Sequence, residues 1–397
     1  MYLPPYVQKA LEILKQHGAM GCAVGGCVRD ALLGLTPNDY DIAVNVPPSE
    51  TIRCFAGYKV IETGVKHGTV TVVIDGENLE ITSFRTDGAY TDLRRPETVA
   101  FTSDVAQDLS RRDFTVNAMA YSPEEGLIDL FGGQEDLKNK VLRCVGDPVR
   151  RFNEDALRIL RALRFAAVLG FAIEEQTAAA VHAYAGNLTH VSAERIFAEL
   201  KKLLQGVCAE PILKEYRDVL NVCVPAFAAL SDEAWNGAAE AAGALREPAL
   251  GLAAFLFPLG SAAAEEACRA LKTDNRLRAD VCFCIEHRDE DFPTPGYARR
   301  FLGTWGGRKC GLLIRFRATY GIPSALLEAA CGETDPPPGT LAELKLGGRD
   351  VAALGARGKR IGEILNALLA LAAEGAVKNE PAALLEAARR MLQNDTD

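Results

Sequence analysis

Apolar and polar residues alternate near the N-terminus in a pattern that predicts helix, strand, helix and strand in that order. Residues 1–18 have the spacing of an amphipathic helix, and residues 20–24 form a short apolar run typical of a buried strand. The next helix is predicted to end at Gly34 and to bury a stripe made of Val28, Ala31, Leu32 and Leu33. The apolar run at residues 42–46 then predicts a second strand.

Two further strands and a long polar segment follow. Thr69–Ile74 and residues 79–84 are rich in β-forming residues, and Asp75-Gly76 between them favours a tight hairpin turn. Residues 85–110 are polar and mixed in charge, which predicts a long loop with short elements. A loop of this length inside a domain is usually functional or disordered.

Strand signals fade from residue 147 onward, and the rest of the chain is predicted to be helical. Asn153 is the predicted N-cap of a helix with Glu154 and Asp155 in its first turn, where carboxylates are favoured. Beyond residue 206 the sequence is rich in Ala and Leu. Three prolines within residues 334–339 predict a linker there, because proline does not continue a helix.

Composition narrows the class of protein. The chain has 397 residues, enough for more than one domain, and its 48% hydrophobic and 24% charged residues are ordinary for a soluble protein. Its eleven cysteines include no CxxC pair, and we see no secretion signal or membrane-length apolar run, so we expect a reduced cytoplasmic protein. The net charge of −9 argues against a histone-like coat on nucleic acid but is compatible with a local basic groove.

Three acidic residues are candidates for a metal centre. Asp39 and Asp41 are two residues apart at the start of the second predicted strand, and on a strand such residues face the same side. Carboxylate oxygens are the ligands that Mg²⁺ prefers. Glu80, on the strand after the hairpin, is a candidate third acidic group, and a solvent-facing glutamate is an equally good interpretation.

The glycines that precede these acids suit a bound phosphate. Gly25 and Gly26 allow backbone N–H groups to come close to an anion at the start of the next helix. Arg29 lies in the first turn of that helix, where a cation is unfavourable unless a phosphate lies opposite it. A Gly-Gly turn or an Asp-x-Asp pair alone is more often an ordinary turn or a solvated pair, so the interpretation depends on their combination.

The combination resembles a known family. The sequence GGCVRDALLGLTPNDYD of residues 25–41 is similar to the opening signature of the tRNA nucleotidyltransferases of the CCA-adding kind and their poly(A) polymerase relatives. Further motifs resemble that family in the same order: YTDLRRPETV in the polar loop, RRDFTVNA at residues 111–118, DLFGGQEDL at residues 129–137, EDxxR from Glu154, and THVSAERIFAE at residues 189–199. The stretch LKLGGRDVAALGARGKRIGEIL resembles the family's tail, without a proline that is often found there.

The resemblance implies roles for individual residues. It assigns two Mg²⁺ ions to Asp39 and Asp41, nucleotide contact to Arg112 and ribose recognition to Asp113. Nucleotide binding is further implied for Gly25, Gly26 and Arg29 and for a row of residues spaced by three, namely Asp155, Arg158, Arg161 and Arg164. A solvated charged stripe is the alternative for that row, and three arginines without a lysine argue against it.

The resemblance also implies a fold and partners. We expect an α+β head of the polymerase-β nucleotidyltransferase type, with a small, mostly antiparallel or mixed sheet, over residues 1–146. Helical neck, body and tail would occupy residues 147–205, 206–335 and 336–397. The expected substrates are CTP, ATP and the 3′ end of tRNA, with no protein partner and no membrane. In the tail, Arg349, Arg357, Lys359 and Arg360 are candidates for contact with an RNA backbone, and solvated basic helix ends are an equally good interpretation.

The chemistry of the bases supports a template role for two of these residues. Cytosine and adenine each present an amino donor beside an unprotonated ring nitrogen, whereas uracil and guanine present an oxygen acceptor beside a ring N–H. A carboxylate only accepts and a guanidinium only donates. Asp155 and Arg158, acting as a pair in the base plane, would therefore accept C and A and reject U and G.

Other activities on the same fold are alternatives. A partial enzyme would add only CC or only A, and a poly(A) polymerase would add A tails. The intact YTDLRRPETV loop argues against a CC-only enzyme, and the absence of an obvious basic C-terminal extension argues against the polymerase. A non-catalytic RNA- or nucleotide-binding protein would be expected to lack Asp39 or Asp41, and both are present.

Overall fold

The computed structural model describes residues 1–88, 99–334 and 336–393, and the chain divides into two units, residues 1–228 and residues 229–397. The first unit contains both strands and helices. Its elements are α1 (Pro5–Gln16), β1 (Gly21–Val24), α2 (Gly26–Leu32), β2 (Asp41–Val44), α3 (Pro48–Cys54), β3 (Lys59–Ile61), β4 (Thr69–Ile74), β5 (Glu77–Ser83), β6 (Arg85–Asp87), β7 (Val99–Phe101), α4 (Val105–Ser110), β8 (Met119–Ser122), β9 (Gly126–Asp129), α5 (Gly133–Asn139), β10 (Val141–Leu142), α6 (Pro148–Glu154), α7 (Leu157–Leu169), β11 (Ala172–Ile173), α8 (Glu175–Ala183), α9 (Ala193–Leu203), α10 (Ala209–Glu215) and α11 (Arg217–Cys223).

Seven strands of this unit form one mixed sheet in the order β3-β4-β5-β2-β1-β8-β9. β2 and β5 run parallel, and the other neighbours in the sheet run antiparallel. A cluster of buried side chains includes Cys22 and Val24 of the sheet, Phe84 directly after β5, and Leu109 of α4. The predicted α+β head with a small mixed sheet is confirmed.

The hairpin of β4 and β5 has the predicted turn. The ladder ends at the pair Ile74 and Glu77, and Asp75 and Gly76 connect the strands with φ of 52° and 90°. Positive φ at both central residues is what a type I′ turn requires, and Asp-Gly suits this geometry.

The polar segment after β5 contains short elements, as predicted. β6 pairs with β7, and Asp104 caps α4 by accepting a hydrogen bond from the N–H of Ala106 at 2.8 Å. The motif YTDLRRPETV lies, apart from Val99, outside the described residues.

Two local predictions were wrong. The buried residues of α2 are Cys27 and Val28, whereas Leu32 of the predicted stripe is 42% exposed. Ala31 and Leu33 are only half-buried, so the burial of α2 is confined to its start. The predicted N-cap Asn153 lies instead in the last turn of α6, which begins after the stronger start signal Asp147-Pro148.

The helix that was expected to run on from residue 153 is interrupted at Asp155. This residue has an extended backbone, with φ of −140° and ψ of 105°, between α6 and α7. Its side chain accepts a hydrogen bond from the N–H of Leu157 at 3.1 Å, so the carboxylate begins a new helix.

The second unit is helical in the part that the structure describes, as predicted. The helix Pro295–Thr319 is broken at Gly306, whose φ of 78° is not helical, and residues 336–339 form no helix. Its helices are α12 (Asp232–Leu245), α13 (Pro248–Leu256), α14 (Ser261–Ala270), α15 (Asn275–Glu286), α16 (Pro295–Thr319), α17 (Ala325–Gly332), α18 (Gly348–Ala353), α19 (Lys359–Ala373) and α20 (Pro381–Gln393). No helix among the described residues of the chain is long and apolar enough to cross a bilayer. All eleven cysteines are free.

Candidate active site

The chain turns sharply at Gly25, between β1 and α2. Its φ of 75° and ψ of −127° are readily adopted by glycine alone. A Cβ atom at this position would lie 3.0 Å from Nη1 of Arg112, so the absence of a side chain also makes room for that guanidinium. The N–H of Gly25 donates to the carbonyl of Met119 at 3.2 Å. The structure thus brings the predicted nucleotide-binding residues Gly25 and Arg112 together.

Asp41 and Glu80 are neighbours at one place in the sheet. Asp41 is the first residue of β2 and pairs with Glu80 on the parallel strand β5. The pKa of Asp41 is raised because its carboxyl group is desolvated, and further because Asp39 and Glu80 are negatively charged. The two predicted metal ligands and the candidate third acid are therefore close enough to interact.

The sequence had led us to expect Asp39 and Asp41 on one strand, but Asp39 lies before the strand begins. β2 begins at Asp41, which pairs with Val24, the last residue of β1. The chain turns away from β1 at Gly25. Asp39 and Tyr40, which precede Asp41, therefore have no residues of β1 opposite them with which to extend the ladder.

The carboxylates suit a divalent cation. By accessible surface Asp39, Asp41 and Glu80 are exposed, although neighbouring protein atoms partly desolvate the carboxyl group of Asp41. We find no ion pair between any of the three and another described residue. No three acidic, histidine or cysteine side chains in the described ranges converge into a complete ligand set. Mg²⁺ commonly binds one or two carboxylates and completes its coordination with water and phosphate oxygens. Asp39 and Asp41 fit that mode of binding.

A network of hydrogen bonds connects α2 with α7. Arg29 on α2 donates to Asp30 at 2.8 Å and to the side-chain oxygen of Asn117 at 2.7 Å. The amide nitrogen of Asn117 donates to Asp113 at 3.2 Å, and Nε of Arg161 on α7 donates to the same carboxylate at 2.8 Å. Arg29, Asp113 and Arg161, all predicted to bind nucleotide, are thus joined through Asn117, which the sequence had not singled out.

The carboxylate of Asp113 is buried and strongly bound. Besides Asn117 and Arg161, it accepts a hydrogen bond from the N–H of Phe114 at 2.8 Å. Burial alone would raise its pKa, but the charge and hydrogen bonds of Arg161 outweigh burial and lower the pKa to about 2. Asp113 is therefore ionised at neutral pH.

Arg112 is held by a second buried carboxylate. Asp108 on α4 accepts from Nη2 of Arg112 at 3.1 Å and from Nε of Arg111 at 3.0 Å. Burial opposes ionisation of Asp108, yet these two guanidiniums lower its pKa. Nε of Arg112 is buried without a hydrogen-bond partner among the described residues.

Asp155 and Arg158, expected to act as a pair, each have another partner in this structure. Asp155 forms an ion pair with Arg195 on α9 at 2.9 Å. Arg158 forms an ion pair with Glu154 at 2.8 Å and donates to the carbonyl of Arg111 at 2.7 Å. The role of Asp155 and Arg158 in base choice stays a prediction.

Three arginines surround one buried ring. The guanidinium carbons of Arg164, Arg29 and Arg161 lie 3.7, 5.2 and 5.3 Å from the ring centre of Phe165. Such contacts between cations and a ring face are attractive. Arg164 also forms an ion pair with Glu199 at 2.6 Å.

Several residues of the site were missed by the sequence reasoning. Asn117 lies in RRDFTVNA, and Arg195 and Glu199 lie in THVSAERIFAE, so motif membership was a signal that could have found them. Phe165 has no such signal, because an aromatic residue in an apolar helix is ordinarily a core residue.

The candidate RNA-binding residues of the tail lie in the second unit. Arg349 is in the first turn of α18, and Arg357 and Lys359 flank the start of α19; all three are exposed. Arg360 forms an ion pair with Glu363 at 3.0 Å. The exposed cations are thus close together in the sequence, near the first residues of α18 and α19.

Two family models match the first unit. One is described as the poly A polymerase head domain and matches residues 22–143. The other is described as the probable RNA and SrmB-binding site of polymerase A and matches residues 170–229.

Named relatives are similar over part or all of the chain. The CCA-adding enzyme of Geobacillus sp. (strain WCH70) is 48% identical over 209 residues, which are 52% of this chain and 51% of that protein. The CCA-adding enzyme of Geobacillus stearothermophilus is 46% identical over 231 residues, which are 57% of this chain and 56% of that protein. These matches span about half the length of the curated relatives.

A solved structure is similar over the whole chain. The crystal structure of the Bacillus stearothermophilus CCA-adding enzyme in complex with CTP is 32% identical, with a TM-score of 0.82 and coverage of 99% of both chains. The chain therefore belongs to the family of the CCA-adding enzymes, a nucleotidyltransferase family whose membership implies the use of divalent metal ions.

Proposed function

We propose that this protein adds C, C and A in succession to the 3′ end of tRNA, using CTP and ATP and releasing pyrophosphate. The observation that carries the proposal is the position of Asp41, which pairs with Val24 beside the Gly25 turn and with Glu80 on β5. Carboxylates without ion-pair partners among the described residues lie there beside the guanidinium of Arg112. Nucleotidyl transfer uses this combination of metal ligands and phosphate ligands.

The acidic residues and Arg112 would act on the reacting groups. Asp39 and Asp41 would hold two Mg²⁺ ions, with Glu80 as a third negative charge beside them. Such ions lower the pKa of the terminal 3′-hydroxyl of the tRNA and neutralise charge on the triphosphate. The buried Nε of Arg112 suits a phosphate oxygen, because an unpaired buried donor is costly.

Other residues would bind the rest of the substrates. The triphosphate is assigned to Arg29, Arg161 and Arg164, the ribose to Asp113, and the base to Asp155 and Arg158. The division into head, neck, body and tail belongs to the same proposal, with Arg349, Arg357, Lys359 and Arg360 of the tail on tRNA. A cytoplasmic location, predicted from the cysteines, also stays a proposal.

The first experiment tests the acidic residues. Asp39→Asn and Asp41→Asn should each lower single-turnover C addition by at least about three orders of magnitude, which corresponds to about 4 kcal/mol of transition-state stabilisation. Asp75→Asn, in the exposed hairpin turn, is the matched control and should leave the rate unchanged. Full activity in either active-site variant would contradict the metal assignment.

The second experiment separates the proposed function from its alternatives. Transcripts ending before CC, after C and after CC are incubated with each NTP supplied singly. A CCA-adding enzyme adds C to the first two and a single A to the third. C addition alone, A addition alone, a long A tail, or binding without transfer would each identify one of the alternative activities.

A further inference from the structure

Asn117 lies at the centre of the nucleotide site and has no role in the scheme above. Its side chain is buried, accepts a hydrogen bond from Nη1 of Arg29 at 2.7 Å, and donates one to Oδ1 of Asp113 at 3.2 Å. An arginine can only donate and the ionised Asp113 can only accept, so the partners fix the orientation of the amide. An asparagine amide offers an acceptor and a donor on one short planar group, as this position requires.

The two partners of Asn117 belong to different parts of a bound nucleotide in the proposed function. Arg29 meets the triphosphate, and Asp113 meets the ribose. Arg29 is also held by Asp30 at 2.8 Å, and Asp113 is held by Arg161 at 2.8 Å. Asn117 is therefore the link between a phosphate-binding group on α2 and a ribose-binding group that is fixed to α7.

We propose that Asn117 is a positioning residue, which fixes the guanidinium of Arg29 relative to the carboxylate of Asp113 and thereby couples recognition of the phosphates to recognition of the ribose. The inference rests on the proposed function, because it takes the nucleotide contacts of Arg29 and Asp113 from that scheme. Asn117 itself touches neither the substrate nor the reacting atoms.

The test is a binding cycle that needs neither tRNA nor transfer. Dissociation constants of CTP and 2′-deoxyCTP are measured by calorimetry for the parent, Arg29→Ala, Asn117→Ala and the double variant. With Asn117 present, the effects of the Arg29→Ala substitution and of removing the 2′-hydroxyl on the dissociation constant should be coupled. The change in the dissociation constant when both are removed should then differ at least about threefold from the product of the two separate changes. In the Asn117→Ala background the combined change in the dissociation constant should equal the product of the two separate changes to within about 1.5-fold.

Kinetics and a matched control separate positioning from simple loss of structure. With tRNA that lacks CCA, Asn117→Ala should raise the KM for CTP about tenfold and change kcat by less than about threefold. Asn139→Ala removes an exposed amide on α5 that bonds to Glu135 at 2.7 Å, and it should leave both the coupling and the KM unchanged. If thermal denaturation shows that Arg29→Ala or Asn117→Ala is unfolded, Arg29→Lys or Asn117→Ser takes its place in the cycle.

The outcomes distinguish this inference from the proposed function. Additive effects in the parent, or coupling that persists in Asn117→Ala, would overturn the inference even if the protein adds CCA. Coupled nucleotide binding that depends on Asn117, in a protein that transfers neither C nor A, would support the inference and overturn the proposed function.

Discussion

A single carboxylate, that of Asp113, joins segments that are far apart in the sequence. It accepts hydrogen bonds from Phe114, from Asn117 and from Arg161, which is 48 residues further along the chain. Arg161 donates from both Nε and Nη2, so four bonds reach the carboxylate and occupy all of its roughly four acceptor positions. A ribose hydroxyl would therefore have to share this group with Arg161.

The low pKa of Asp113 predicts a defined dependence of stability on pH. Its value of about 2 lies below the ordinary value of 3.8, so the ionised group contributes stability above about pH 4. This contribution, roughly 2 kcal/mol, is lost as the pH falls from about 4 to about 2. In urea denaturation, Asp113→Asn should be less stable than the parent at pH 7, and the difference should shrink across that window. A difference that stays constant with pH would contradict this.

Base choice is better tested at Asp155 alone than by exchanging it with Arg158. The exchange would put an arginine beside Arg195 and an aspartate beside Glu154, so it should destabilise the fold. Asp155→Asn removes one acceptor, keeps the size of the side chain, and preserves a residue type that caps helices.

In single-turnover assays, Asp155→Asn should reduce the preference for CTP over UTP by about tenfold to a hundredfold, because one mismatched hydrogen bond costs about 1–3 kcal/mol. Asp147→Asn, at the start of α6, is the matched control. An unchanged preference in a folded Asp155→Asn protein would mean that Asp155 does not select the base.

Sequence reasoning predicted residues of the site more readily than their partners. Arg29 was singled out by its place in a motif, whereas its bond to Asn117 spans 88 residues. Asp155 was singled out as well, but its ion pair with Arg195 spans 40 residues. Periodicity and motif spacing describe neighbours along the chain, so contacts of this range depend on packing that no local pattern contains.

Elements were predictable where a local rule dominated. The turn between β4 and β5 follows from Asp75 and Gly76, because few residue pairs adopt two positive φ angles. The break between α6 and α7 was not predicted, because the helical periodicity of residues 148–169 continues through it. A capping aspartate decides where α7 begins, whereas the sequence pattern placed Asp155 in the first turn of a helix capped by Asn153.

The hairpin of β6 and β7 predicts how the polar loop should be shortened. The ladder includes the pair Asp87 and Val99, so a deletion of residues 90–98 leaves the paired residues in place. We expect the deletion to slow addition of the final A more than addition of either C, because a long polar segment suits a lever between two states of one pocket. Single-turnover rates for each step provide the measurement, and equal slowing of all three additions would refute the lever.

At the scale of the whole molecule, the net charge differs in character from the charge around the candidate site. The protein carries a net charge of −9, yet its first unit gathers many arginines around the candidate site. Arg112, Arg158 and Arg161 each have a carboxylate partner there. The arginines are thus held in place by local ion pairs, and the net charge of the chain says little about the site.

The exposed cations of the tail predict an effect on RNA binding alone. Neutralising Arg349, Arg357 and Lys359 together should weaken tRNA binding and reduce the slope of its salt dependence by about one for each phosphate that the protein no longer neutralises. Affinity for CTP should not change. Arg390→Ala, which removes an exposed cation paired with Glu386 on α20, is the control. An unchanged salt slope in the triple variant would exclude these residues from the RNA interface.

The ring of Phe165 has a genetic consequence. Because Arg29, Arg161 and Arg164 all lie against it, a substitution such as Phe165→Leu disturbs α2 and α7 together. A defect in an ion pair outside the candidate site, such as that of Arg299 with Glu333, can be repaired by one compensating charge reversal. No single second-site change restores a shared ring to three cations at once. Position 165 should therefore yield few intragenic suppressors, whereas positions 299 and 333 should yield each other's.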